Sequence, residues 1–310
     1  MRSLAIDLGG SRVKLGVVED GRVLCATVLE AHADAGLVPL LPRLEAACGP
    51  WLETMRPEAV GIAFPSLVDV DRRRILGHNA KFADYARVDL TAWCRDRLGL
   101  PLCMDNDANA AALGEGTWGC AADTGDFVLM ILGTGIGTAA MMNGRLVRGR
   151  HYQAGDLMGH IPLRVDGRPC AGCPGVGCAE AQASTWALPL MVREAAGDSP
   201  LKREKQVDFR VLKRYCDAGD PLARRVFEEC CAYWANCLVA LVYAYDPEVV
   251  VLSGGVLNWG PALSGRLETL VRERVWTPWG QLRFRVAEHP EHSVLLGLHA
   301  LCAQAERPGT

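Results

Sequence analysis

Gly10-Ser-Arg-Val-Lys-Leu-Gly-Val-Val-Glu-Asp-Gly-Arg-Val-Leu24 and Gly133-Thr-Gly-Ile-Gly-Thr-Ala-Ala-Met-Met-Asn-Gly-Arg-Leu-Val147 align without a gap, 123 residues apart. Each copy opens on glycine followed by a hydroxyl residue, Gly10-Ser11 and Gly133-Thr134. Each then closes on an Asx-Gly dipeptide, Asp20-Gly21 and Asn143-Gly144, followed by Arg and two apolar residues. Asx-Gly between apolar runs is the signal of a type I′ hairpin, which needs positive φ at both central positions. Each copy therefore reads as strand, glycine-rich turn, strand, tight turn, strand. The strands LAID and FVLMIL lead into the glycines. Backbone N–H groups at such a turn, with no Cβ in the way, can surround phosphate oxygens. Neither copy is a Walker loop or a GxGxxG entering a helix.

Two equivalent phosphate hairpins imply a duplicated α/β domain gripping a polyphosphate from both sides. That pattern resembles the two-domain actin-like (ribonuclease H-like) ATPase fold with an interdomain cleft. The rest of the chain alternates accordingly. Ala59–Phe64, Pro101–Met104 and Val249–Leu252 read as strands, the last all-apolar and hence central and parallel. Ala108–Thr117 reads as the opening of a helix and Pro221–Tyr245 as a long buried one, while Gly197–Val207 reads as a polar surface loop. Ser253-Gly254-Gly255 is a further glycine turn at the C-terminal end of a strand, where open α/β sheets bind ligands. The division expected is 1–116, joined by a last helix at about 294–310, against 117–293.

Between Gly159 and Glu180 lies GHIPLRVDGRPCAGCPGVGCAE. His160, Cys170, Cys173 and Cys178 follow a His-x9-Cys-x2-Cys-x4-Cys spacing that suits tetrahedral zinc, which would pin a loop too rich in glycine and proline to hold itself. Scattered cysteines, or a redox pair at Cys170 and Cys173, are the alternatives. Thirteen cysteines, an odd number spread over 310 residues, indicate reduced thiols and a cytoplasmic location. With 50% hydrophobic and 22% charged residues the composition is that of a globular protein. A net charge of −3 gives no basic footprint for nucleic acid. No leader segment is expected, nor any apolar run long enough to span a bilayer.

Five motifs in order carry a family resemblance over nearly the whole chain. They are Asp7-Leu-Gly-Gly-Ser11, Asp105-Asn-Asp-Ala-Asn109 with Leu113-Gly-Glu115, Leu132-Gly-Thr-Gly-Ile-Gly137, the segment His160–Glu180, and Ser253-Gly-Gly255. The chain resembles sugar kinases of the repressor/open-reading-frame/kinase (ROK) family. Two departures stand out: the family's Cys-x-Cys is Cys170-x2-Cys173 here, and its Glu-x-Gly-His is Asp156-Leu-Met-Gly-His160.

The resemblance implies transfer of the ATP γ-phosphoryl group to a hexose hydroxyl, most simply the C6 hydroxyl of glucose. Allose kinase, N-acetylhexosamine kinase and a catalytically idle sugar-binding or regulatory member are the alternatives. Asp107 is expected as general base; helix N-cap is its bland alternative. Asn79, Asn106, Asp156, His160 and Glu180 are expected around the sugar. Asp7, Gly9, Gly10, Ser11, Gly133, Thr134, Gly135, Gly254 and Gly255 are expected around ATP and Mg²⁺, Asp7 acting through water. The zinc set is His160, Cys170, Cys173 and Cys178, with the second ring nitrogen of His160 left for a sugar hydroxyl. Sugar and ATP are the expected partners, in a homodimer without nucleic acid or membrane. Trp93, Trp118, Trp186, Trp234 and Trp276 are read as core and interface aromatics.

Overall fold

A computed structural model describes residues 1–77 and 81–305. It resolves into two compact units. The first comprises Met1–Gly125, Leu146–Asp156 and the chain from Glu288 onward; the second comprises Asp126–Arg145 and Leu157–Ala287. This division differs from the sequence-based one at three places, the first being 288–293, which join the first unit. Residues 117–125 and 146–156 belong with the first unit, the latter because Arg148 and Tyr152 bond to Asp105 and Asp69 of that unit.

The first unit holds β1 (Arg2–Leu8), β2 (Arg12–Glu19), β3 (Arg22–Glu30), β4 (Ala59–Phe64), the short hairpin β5 (Val68–Asp69) and β6 (Arg74–Ile75), and β7 (Leu102–Asn106). Its sheet runs β3-β2-β1-β4-β7, antiparallel across the first three strands and parallel from β1 to β7. The second unit holds β8 (Phe127–Leu132), β9 (Ile136–Met142), β10 (Arg145–Leu146), β11 (Val249–Ser253) and β12 (Arg283–Val286). Its sheet runs β10-β9-β8-β11-β12, again antiparallel at β8/β9 and parallel from β8 to β12. The repeat is thus a repeat of whole sheets. Its hairpin chemistry is as the dipeptides require: φ is +48° and +74° at Asp20-Gly21, and +52° and +69° at Asn143-Gly144.

The final helix, Ser293–Ala305, packs on the helix Asp107–Thr117 and on β1 and β4 of the first unit. Two glycines set how close the helices come. A Cβ on Gly297 would lie 1.6 Å from the Ala110 carbonyl oxygen, and one on Gly114 would lie 2.1 Å from that of Ser293. Glu115 tightens the same crossing by accepting the Ser293 hydroxyl at 2.5 Å and the Cys120 N–H at 3.0 Å. This crossing seats the helix that begins at Asp107.

The helix Pro221–Tyr245 is long and apolar enough to cross a bilayer by composition, contrary to the sequence-based expectation of no such run. It packs against β8 and buries Trp234 and Leu238 completely, which makes it the core helix of the second unit. The segment read as a polar loop contains a 3-10 turn, Pro200–Arg203, capped by Ser199 and pinned by a fully buried Leu201. Trp234 and Trp93 are core residues as expected. Trp276, at 77% exposure, lies on the surface of the chain, and Trp118 lies stacked on His299.

Candidate functional site

In the first unit, β7 ends on Asp105-Asn106 and the helix begins at Asp107. The capping residue is Asn106. Its side-chain oxygen accepts the N–H groups of Ala108 at 2.7 Å and Asn109 at 3.2 Å, and its amide donates to the Ser66 carbonyl. This relieves Asp107 of the N-cap role, although its carboxylate still accepts the Ala108 N–H at 3.0 Å. Asp105 is 1% exposed and bonded by Arg148 in a two-pronged geometry at 2.8 and 2.6 Å. It also accepts the Asn106 N–H and the Asn109 amide. Strand end, cap and helix start are therefore locked together, and the lock fixes where the Asp107 carboxylate points.

Around Asp107 the unit gathers further charges. Asp7 ends β1 and is buried, with Lys14 Nζ 3.6 Å from its carboxylate. Desolvation pushes the Asp7 carboxyl up to about 6, Lys14 opposes this, and Asp107 adds to it by repulsion. Burial also raises Asp107, opposed first by Lys81. Asp156 is raised furthest, well above the usual range, by burial and by repulsion from Asp107 and Asp105, with Arg148 opposing. Three carboxylates whose ionised forms are disfavoured therefore share the first unit, Asp7 near the end of β1, Asp107 just after β7 and Asp156 at the start of a 3-10 turn, an arrangement able to take up a cation or a proton.

Lys81 was passed over in the sequence. Its stem lies across the glycine turn of β1–β2, where a Cβ on Gly10 would come 2.7 Å from Lys81 Cε. The same lysine is the charge that most opposes the upward shift of Asp107, so it links the turn of Gly9, Gly10 and Ser11 to the expected base. Asn79 lies outside the described residues.

In the second unit, the turn Gly133-Thr134-Gly135 is held from several sides. Thr185 donates its hydroxyl (2.6 Å) and N–H (3.3 Å) to the Gly133 carbonyl, and the Trp186 N–H reaches the Thr134 carbonyl. Glu180 accepts the Ile136 N–H at 2.9 Å on one carboxylate oxygen and the Trp186 indole N–H at 3.3 Å on the other. Thr185 and Trp186 left no sequence signal for this role, because they reach the turn from some fifty residues away. Gly254 lies beside the same strand end: a Cβ there would meet the Leu132 carbonyl oxygen at 2.3 Å, and its φ is +98°. Gly255 opens the 3-10 turn that follows.

The metal candidates converge in the same unit. The donor atoms of His160, Cys170, Cys173 and Cys178 all lie within 4.8 Å of one another. Nδ1 of His160 is 3.6 Å from Cys170 Sγ and 3.9 Å from Cys178 Sγ. A tetrahedron with Zn–S bonds of about 2.3 Å has edges of about 3.7 Å. The Gly172 and Ala181 N–H groups donate to Cys170 and Cys178, as they would to thiolates. Three sulfurs and one imidazole at these separations fit zinc. Nδ1 is the nitrogen that faces them, and Nε2 of His160 is not required for the metal.

Two units with the same five-strand order, each carrying a glycine turn between its first two strands, define an actin-like ATPase fold. The ROK family sequence model matches residues 3–305, and the chain belongs to that family. Glucokinase of Thermotoga maritima is 28% identical over 287 residues, covering 89% of this chain and 87% of that protein. Among solved structures, the ROK hexokinase from Thermus thermophilus is 31% identical with a TM-score of 0.82, and each chain is covered fully. The ROK glucokinase from Streptomyces griseus, solved with glucose and AMPPNP, is 27% identical with a TM-score of 0.84, covering 98% of this chain and all of that one.

Proposed function

We propose that the chain is a cytoplasmic ATP-dependent sugar kinase that phosphorylates an aldohexose, with the C6 hydroxyl of glucose the first candidate acceptor. The observation that carries this reading is Asp107. It stands at the start of a helix whose capping is done by Asn106, on a strand end locked by the Asp105–Arg148 pair. A carboxylate with a raised pKa is the better proton acceptor when it is ionised, and it takes the acceptor hydroxyl's proton as the oxygen attacks phosphorus. Lys81 opposes the burial that raises that carboxylate and offers positive charge beside the Gly10 turn.

Mg²⁺ supplies charge neutralisation on the phosphates; Asp7 is the residue in the first unit that would face it through water. Gly10 and Ser11 in one unit, and Thr134 and Gly135 in the other, would offer backbone N–H groups to phosphate oxygens, while the Gly9 and Gly133 N–H groups close the turns on the Asp7 and Gly135 carbonyls. Gly254 and Gly255 leave room for the rest of the nucleotide. His160 through Nε2, Glu180, Asn79, Asn106 and Asp156 are the proposed sugar contacts, with zinc fixing the loop that carries His160. Glu180 and Asn106 already hold local backbone N–H groups, so any sugar contact uses their remaining lone pairs and amide hydrogen. Allose and the N-acetylhexosamines are the alternative substrates.

The test is ADP release from Mg-ATP over glucose, allose, mannose, fructose, N-acetylglucosamine and N-acetylmannosamine, with Asp107→Asn in parallel. Turnover with one sugar, lowered about 10²- to 10⁴-fold in the variant, is expected. Equal turnover by Asp107→Asn would remove Asp107 from the mechanism, and no turnover with any sugar would remove the kinase reading itself.

A further inference from the structure

The first unit carries a second concave region, away from the glycine turn. The hairpin β5–β6 and the segment 85–91 enclose a cavity of about 820 Å³, within the range of small-molecule pockets. Arg72, Arg73, Arg74 and Arg87 stand around it, in a chain whose net charge is −3. Arg72 is engaged by Asp69 at 3.3 Å. The guanidinium groups of Arg73 and Arg74 have no ion-pair or hydrogen-bond partner among the described residues. Arg73 and Arg74 are thus two adjacent cations whose guanidinium groups are not engaged by the neighbouring carboxylates, and the turn adds a conformational cost. Arg73 adopts a left-handed φ of +54°, a position that glycine or asparagine would fill with less strain.

Below the arginines the cavity is apolar, with Val88, Leu90 and Met104, and Thr91 offers a hydroxyl. Carboxylates bound the basic spot on both sides. Asp69 and Asp71 are bridged by the Tyr152 hydroxyl on one side, and Asp89 caps the helix Leu90–Trp93 on the other. A nucleic acid or other long polyanion would be repelled at those edges. A compact dianion with a small organic body would not be, and arginine forks match phosphate oxygens in pairs.

We propose that this cavity binds a small phosphomonoester of sugar-phosphate size, at a site distinct from Asp107. Only the choice of a hexose phosphate as probe rests on the kinase reading; the anion site itself does not. Its lining residue Met104 immediately precedes Asp105 on β7, so an occupant would sit against the strand that leads into the helix beginning at Asp107.

The experiment uses the full chain and two readouts that need no turnover. Arginine modification by phenylglyoxal, mapped by mass spectrometry, is run with glucose 6-phosphate, glucose or inorganic phosphate at equal concentration. Calorimetric titration with glucose 6-phosphate compares wild type with Arg73→Gln/Arg74→Gln, whose changed side chains are exposed. Protection of Arg73 and Arg74 by glucose 6-phosphate but not by glucose is expected. Loss of one class of binding site, or at least a tenfold weakening of it, is expected in the double variant at unchanged circular dichroism. Unprotected arginines, or identical titrations for the two proteins, would overturn the proposal. Equal protection by inorganic phosphate would overturn it too, by reducing the site to a bare anion contact. Because neither readout depends on catalysis, a chain without kinase activity can still pass or fail.

Discussion

Replacing Asp7 by Asn should make the protein more stable at neutral pH while removing the residue proposed to face Mg²⁺. The carboxyl is pushed up from 3.8 to about 6, chiefly by desolvation, with Lys14 opposing and Asp107 adding repulsion. Between about pH 4 and 6 the unfolded chain has released this proton and the folded chain still holds it. Folding therefore takes up protons in that window, and stability falls as pH rises through it. At about 1.4 kcal/mol per pH unit, the full shift corresponds to about 3 kcal/mol of destabilisation at pH 7. Asn carries no such charge, but it leaves Lys14, whose side chain is 33% exposed, without its anion. Discounting for that, a gain of about 1–2 kcal/mol at pH 7.5 is expected, shrinking to nothing near pH 4. Urea unfolding of nucleotide- and metal-free protein across this pH range measures it, with Trp93 and Trp118 reporting on the first unit. A difference between variant and wild type that does not change with pH, or a variant less stable throughout, would refute the account. The complementary expectation is that Mg-ATP stabilises wild type more than Asp7→Asn, because the cation offsets the charge that burial penalises.

Three further outcomes follow from the same geometry. Arg148→Met leaves Asp105 buried with only the Asn106 N–H and the Asn109 amide, and should destabilise the first unit by about 3–5 kcal/mol; Asp105→Asn/Arg148→Met should recover part of that in the same urea assay. Lys81→Met removes the charge that most opposes the upward shift of Asp107, so the acid limb of kcat/KM should move to higher pH and kcat should fall on the order of 10²-fold, whereas an unmoved pH profile would leave Lys81 as mere cover for Gly10. Removing zinc, by chelation or by Cys173→Ser, should raise the sugar KM and lower thermal stability together, and unchanged kinetics in protein verified zinc-free by elemental analysis would defeat the role given to the metal.

What could be read from the sequence was what is encoded locally. The two Asx-Gly turns declare themselves because only a few residue types tolerate positive φ at both positions. From them the doubled sheet follows. The His160–Cys178 set is equally legible, since its ligands lie within one short loop. The Asp105-Asn106-Asp107 run is harder, because any of the three residue types can cap a helix. The choice is made by Arg148, which occupies Asp105 from 43 residues away and leaves Asn106 to cap. Arg148 and Lys81 are single cations in irregular segments, with no periodicity or spacing to mark them. Their roles exist only once β1, β4 and β7 lie side by side.

The same distinction bears on why Asp7, Asp107 and Asp156 share one unit. Each is raised above its ordinary range, and for each the first cause is burial. A site selected only for folding would replace at least one of them by Asn, as the Asp7 prediction makes explicit. Nor is the repulsion fully neutralised by the cations at hand. Lys14 faces Asp7, Lys81 faces Asp107, and Arg148 is bound in both prongs to Asp105 while only opposing the shift of Asp156. The deficit of positive charge is therefore built into the first unit, and it is relieved by whatever brings a cation or removes a proton demand there. In the proposed reading a magnesium-bearing nucleotide would do the first and a hydroxyl that gives up its proton to Asp107 would do the second, so the cost of burying these carboxylates and the proposed chemistry would have the same physical origin.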